Sequence, residues 1–392
     1  MIEVSSFCRS LPKSELHAHL GGSVSASTLQ SIILTTSNLS SAKDKLILRL
    51  NSSLNESEAR SRQILSELSS FSRQQKRIEH IGIANTSENG QNFHQICDKS
   101  AVVSSIENNS ISVKSTVTER AMHSVFDHFA VLHTVLDNEA SLRRAAHDVV
   151  LDFAQDRVYY LELRSAPRAN LSARMSKRSY VDAIRAGIHD ALVELKERSS
   201  LRSPSGSQLH EHLHRDHENH EEDVREPPEM VVRLLLSLDR SQPLEELRDT
   251  LELATELRGD AGDGAVVGVD LSGHPYRGRV EDLESVVREA KRRALPVALH
   301  LAETLESVLG AQGEAGADSE AARLLALDAD RIGHATFLTR APALADELAL
   351  KSTPLEICLS SNQVLLYAVI QLQIAAIVFF INQFLLILRI FC

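Results

Sequence analysis

Cysteine is scarce in this chain: four residues, Cys8, Cys97, Cys358 and Cys392, among 392. They lie far apart and form no CxxC pair. That spacing excludes a disulfide framework and a cysteine-rich zinc site, and it fits a reducing compartment, the cytoplasm. Excess positive charge is missing too. Lys and Arg number 42 against 53 Asp and Glu, a formal net charge of −11. That sign argues against general nucleic-acid binding, although a small anionic ligand needs only a local pocket. The opening "MIEVSSFCRS" lacks a basic n-region and an apolar h-region, so no secretory signal is read there. Acid is missing from the other end. No aspartate follows Asp346, and residues 364–392 carry no acidic side chain at all.

Apolar material is plentiful, at 43% of the chain, and the length allows one large α/β domain or two ordinary ones. Seven short apolar runs stand out: "ELHAHL", "VYYLELR" (158–164), "VVRLLLSL" (231–238), "VVGVDLSG" (266–273), "PVALHLAE" (296–303), "RIGHA" (331–335) and "LEICLSS" (355–361). The later ones recur about every 30 residues, as in repeated βα units. Between them, helices follow the apolar period. "SQPLEELRDTLELATELRG" opens with a capping Ser241, has Pro243 in its first turn and stops at Gly259. "RVEDLESVVREAKRRA" and "DSEAARLLALD" read the same way. Near-continuous apolar strands are buried on both faces, as in parallel sheets. Seven of them make most of an eight-stranded barrel, or a doubly wound sheet.

Three segments break the pattern. Residues 31–120 are rich in Ser and Asn, with one convincing helix near "NESEARSRQILSELSSFSRQ", and read as a loosely packed insertion. Residues 199–228 are polar and charged, too poor in large apolar groups to order themselves. Their histidines, His210, His212, His214, His217 and His220, read as part of a solvated loop. Residues 364–392 are apolar with Arg389 as their one charge, long enough to span a bilayer. Yet Gln371, Gln373, Asn382 and Gln383 are costly in lipid without partners.

The chemistry lies at strand ends. In "LPKSELHAHLGGS", His17 and His19 stand two apart, so on a strand they face the same way. His300 ends "PVALH", Glu303 follows it, and His334 ends "RIGH". Barrel active sites gather where several strands end. Histidines at matching places on three strands are hard to explain as core packing, and they suit a metal-dependent site.

In order, "LPKSELHAHLGGS", "YLELRSAPR", "VDLSGHP", "LHLAE", "RIGHATFL" and "LEICLSSN" resemble the adenosine/AMP deaminase superfamily, nearest its adenosine deaminase-like branch acting on N6-methyl-AMP. The likeness covers residues 7–29, about 120–198 and 229–362. It implies an α/β fold, a (β/α)8 TIM barrel of the metal-dependent hydrolase type, monomeric, holding one zinc ion. By resemblance His17, His19 and His300 are the metal ligands. Glu303 protonates the purine ring, and His334 takes a proton from the attacking water. Gly273 meets the purine through its backbone, and His19 and Gly21 border the substrate. Zinc lowers the pKa of a bound water from ~15.7 toward ~7. Imidazole titrates near neutrality and suits the base; the ring-protonating carboxyl must hold a proton, which burial arranges. The expected ligand is a small purine nucleoside or nucleotide.

Two departures matter. The family takes two adjacent aspartates from the eighth strand, and here the pattern stops after "LSSN". The barrel is therefore expected to be incomplete at strand 8, over a core of residues 7–362 followed by the apolar tail 363–392. Three origins fit that tail: a mis-joined or truncated product, a membrane anchor, or an apolar filler of the barrel gap. Second, Gly21 replaces an Asp that adenosine-specific relatives place near the ribose 5′ end. Its absence removes repulsion of a 5′-phosphate; alternatively Gly21 merely eases a turn beside Gly22. Arg164 and Arg168 are phosphate-contact candidates, or simply solvated.

Overall fold

The computed structural model describes residues 10–35, 126, 129–202, 229–259, 262–310, 313 and 316–358. Seven parallel strands run in sequence order, each bonded to the next: β1 (Lys13–His19), β2 (Val158–Ser165), β3 (Val231–Asp239), β4 (Ala265–Ser272), β5 (Val297–Leu301), β6 (Arg331–His334) and β7 (Leu355–Glu356). Strand order equal to chain order, with a helix after each crossover, is barrel winding; a doubly wound sheet would reverse its order partway. The sheet curls until β7 faces β1. Glu356 of β7 lies 2.8 Å from His17 of β1, so the seven strands form a nearly closed barrel. Any eighth strand falls outside the described residues.

The helices are α1 (Ala26–Thr35), α2 (Glu139–Gln155), α3 (Lys177–Arg202), α4 (Leu244–Leu257), α5 (Val280–Arg292), α6 (Glu320–Leu325) and α7 (Pro342–Lys351). Asn138 and Ser141 close a reciprocal capping box on α2, satisfying two otherwise orphaned amides. Ser319 caps α6 through the Ala322 amide. The expected cap at Ser241 is not formed. Pro243 holds that position before α4 without a side-chain bond, and the Ser241 amide instead donates to Asp239 Oδ1. An acceptor two residues upstream takes the serine into a turn before the helix can use it. Helix α3 also continues through Ser199–Arg202, the start of the stretch read as a loop. The five histidines from His210 to His220, the helix near residues 55–74 and the apolar tail lie outside the described residues. Among the described residues no helix is long and apolar enough to cross a membrane.

Period-two alternation separates two environments. On β2, Leu161 and Leu163 are fully buried and point outward beneath the helices, each contributing about 1.5–3 kcal/mol. Their alternates Tyr160, Glu162 and Arg164 point into the barrel, where Tyr160 Oη donates to Glu162 Oε1 at 2.7 Å. Helices α2 and α3 pack closely at Gly187, where any side chain would collide with the Arg143 carbonyl. The apolar layer therefore lies between strands and helices, and the barrel interior is left for charged groups.

Candidate active site

Three histidines expected to share an ion do converge. Their ring nitrogens lie within 4.8 Å of one another, and Nε2 of His19 stands 3.0 Å from Nε2 of His300. Two imidazoles bound to one tetrahedral zinc at about 2.0–2.1 Å would sit roughly 3.3 Å apart, so the spacing fits. Parallel register explains the meeting: His19 is level with Arg164, and His300 with Gly333. Glycine at 333 is required, because a Cβ there would stand 2.8 Å from His17 Cε1.

The far side of two rings is occupied by carboxylates. His17 Nδ1 donates to Glu356 Oε2 at 2.8 Å. His300 Nδ1 lies 3.1 Å from Asp270 Oδ1, an ion-pair contact off the angle of a good hydrogen bond. Occupying Nδ1 turns Nε2 toward the shared centre, the usual arrangement around histidine ligands. Burial, with His300 beside it, pushes the His19 imidazole down to about 3, and burial with Arg164 nearby depresses His17 strongly. Both are therefore neutral near pH 7, the form that binds metal. Burial opposes ionisation of Asp270, but His300 and Arg164 overcome it and hold the carboxyl well below the usual range. At His300 burial opposes the charged form, but Asp270 outweighs it and raises the pKa, so a bound metal would displace a proton there; three imidazoles, two of them backed by carboxylates, remain a donor set that suits zinc.

Beside this trio, His334 Nε2 lies 3.7 Å from Glu303 Oε2, with both side chains largely buried. His334 has φ +69, Ala335 +53 and Ala302 +55, left-handed values that strain non-glycine residues. The strain falls on the turns presenting both groups. Gly273 has φ +108 and its added Cβ would collide with Asp239, so only glycine fits. Gly21 differs. It lies in the helical turn Leu20–Ser23 without positive φ, and a Cβ there meets nothing within 4 Å. The backbone does not demand glycine there, which removes the turn explanation.

All seven positions, with Glu356 behind His17, line one cavity of about 640 Å³, within the range of small-molecule sites. Phe126 and Phe129 form an apolar wall, and Phe126 stacks on His274 at 4.5 Å. Arg168 also lines the cavity, over the Tyr180 ring at 5.9 Å. Arg164 is not a phosphate contact. It is fully buried, and its guanidinium is engaged by Asp270, Glu356 and the Leu16 carbonyl. Inward pointing on β2 decides this, since the barrel interior holds carboxylates that claim the charge first.

Residue-level reading of the sequence missed Asp270, Glu356 and Cys358 as site residues and gave Arg164 another role. The signal was present in "VGVDLSG", "LEICLSS" and "LELR": an ionisable residue inside an apolar run is costly unless paired. The carboxylates expected from an eighth strand have no counterpart after Glu356, the last acidic residue of the chain.

Comparison with known proteins agrees with this geometry. The adenosine deaminase family profile matches residues 101–384, running past Asn362. A zebrafish (Danio rerio) N6-methyl-AMP deaminase is 28% identical over 92% of this chain and 73% of its own length. An Arabidopsis thaliana N6-mAMP deaminase is 33% identical over 62% of this chain and 61% of its own. Of several other curated relatives the chain spans 57–58%, so it matches under two thirds of their length. A crystal structure of Arabidopsis ADAL complexed with IMP superposes with a TM-score of 0.56 at 26% identity, covering 96% of this chain and 79% of that one. With a barrel, a histidine trio at its mouth and a profile match over most of its length, this chain belongs to the adenosine deaminase family.

Proposed function

We propose that this chain is a zinc-dependent aminohydrolase of 6-amino- or 6-methylaminopurine nucleotides, with N6-methyl-AMP or AMP as substrate and IMP plus amine as products. The observation that carries this reading is the convergence of His17, His19 and His300 within 4.8 Å, with Glu303 and His334 alongside. One ion held by the three histidines would supply a water nucleophile near neutral pH. His334 then accepts the proton of the water attacking C6, and Glu303 delivers a proton to the purine ring nitrogen, drawing electrons from C6. Gly273 leaves its backbone open to the purine edge, and His19 and Gly21 border the sugar end. The nucleotide preference rests on Gly21, on relatives named N6-methyl-AMP deaminases, and on a related structure solved with IMP.

A second reading is favoured by one observation. No acidic residue follows Glu356 among residues 357–392, so the aspartate pair that the resemblance implies finds no match there; a barrel without it would bind zinc or purine without turnover. One experiment separates the two. The purified full chain is assayed for zinc content and for loss of substrate absorbance with N6-methyl-AMP, AMP and adenosine. Turnover of a nucleotide supports the first reading; zinc or purine bound without turnover, the purine measured by equilibrium dialysis with IMP, supports the second, and a chain that binds neither overturns both.

A further inference from the structure

We propose that Arg164 is a positioning residue which, from inside the barrel, sets the two metal-facing imidazoles of His17 and His300 relative to each other. The inference rests on the metal-centre reading above, though not on turnover.

The two rings belong to strands on different parts of the barrel, β1 and β5. Each is backed by a carboxylate from yet another strand, Glu356 of β7 and Asp270 of β4. One guanidinium joins those carboxylates. Arg164 Nη1 donates to Asp270 Oδ1 at 2.8 Å, the same oxygen that faces His300 Nδ1. Arg164 Nη2 donates to Glu356 Oε2, the oxygen that accepts from His17 Nδ1. Nη2 also donates to the Leu16 carbonyl at 2.8 Å, in the residue just before His17. The path is thus His17–Glu356–Arg164–Asp270–His300, and every charged member is almost wholly buried.

A guanidinium is planar and its two terminal nitrogens are fixed relative to each other. It therefore sets the spacing of the two carboxylate oxygens, and through them the directions of both rings. Among the described residues, other groups hold single members of the path. Arg331 pairs with Glu356 and Glu162 but not with Asp270, and Ser237 donates to Asp270 alone. Lysine would keep the charge but, as a point donor, would not fix both oxygens.

Zinc affinity of the folded chain, measured against a chromophoric chelator, tests this, together with the visible spectrum of the cobalt(II)-loaded protein. R164K should bind zinc about 10-fold or more weakly than the parent and shift the cobalt bands, which report ligand geometry. Affinity within twofold and an unchanged spectrum would overturn the proposal. If R164K does not fold, the carboxylates decide. D270N and E356Q should each weaken zinc binding, and the double variant should lose less than the product of the two, because one guanidinium links them. Losses that multiply would overturn the coupling. A parent chain that binds no zinc would sink the metal-centre reading together with the inference, an outcome distinct from a parent that binds normally beside an equal R164K.

Discussion

Nε2 of His19 and Nε2 of His300 stand 3.0 Å apart although 281 positions separate them in the chain. The pair can share one proton as a hydrogen bond, and with His17 also within 4.8 Å the three rings form a donor set that a cation could occupy. The contact makes sense as half of a site for a cation, and the following outcomes test what that site holds and does.

Removing a ligand and removing the base should have different signatures. His300→Ala should lose bound zinc and any turnover together. His334→Ala should keep zinc near the parent stoichiometry while turnover falls about 10²–10⁴-fold. Metal analysis alongside steady-state kinetics checks both; loss of zinc in His334→Ala would place it among the ligands.

Gly333→Ala probes how tightly β6 confines β1. The new methyl would stand 2.8 Å from His17 Cε1, and Glu356 pins that ring on its other side. The ring must turn, so zinc affinity should drop about 10-fold with the fold retained. Chelator competition and circular dichroism provide the check, and unchanged affinity would show that the ring is free to move.

Gly21→Asp tests the choice between nucleotide and nucleoside. The side chain enters open space in the cavity, so stability should hold. A carboxylate about 6 Å from a 5′-phosphate costs about 1–3 kcal/mol at an effective dielectric near 20. Efficiency with AMP-type substrates should therefore fall about 10- to 100-fold, with adenosine little affected. Equal losses on both would remove Gly21 from the specificity argument.

Cys358 should be slow to react despite lining the cavity. Burial, with Glu356 adding to it, pushes its thiol up to about 12. At pH 8 alkylation should run on the order of 1,000-fold below a free thiol, rising about tenfold per pH unit. The linkage sign follows: between pH 9 and 12 the unfolded chain deprotonates first, so this group lowers stability as pH rises. Mass spectrometry of iodoacetamide-treated protein measures the rate, and fast labelling at pH 8 would contradict the burial of the sulfur.

Much of this architecture was legible from residue order. All seven apolar runs became strands, because runs too short for helices and buried on both faces have few other options. The strand ends then marked the site, since His17, His19, His300 and His334 sit where parallel strands stop. The helix starting near Ser241 was readable in type but not in its cap, because the Ser241 amide is drawn into a turn by Asp239 and the helix begins only after Pro243. Arg164 was read as either a phosphate contact or a solvated surface charge, and it is neither: it is buried and paired with Asp270 and Glu356. Sequence places it near a strand end but does not say which charges face it.

What the sequence by itself determined is therefore the period: which residues alternate, where strands end and which helices cover them, all local consequences of backbone geometry and apolar burial. What only the tertiary structure decided is who pairs with whom inside the barrel. Arg164 meets Asp270 and Glu356, and His19 meets His300, through curvature that brings distant strands together. No local propensity encodes that meeting, because the energy of a buried charge depends on partners hundreds of residues away.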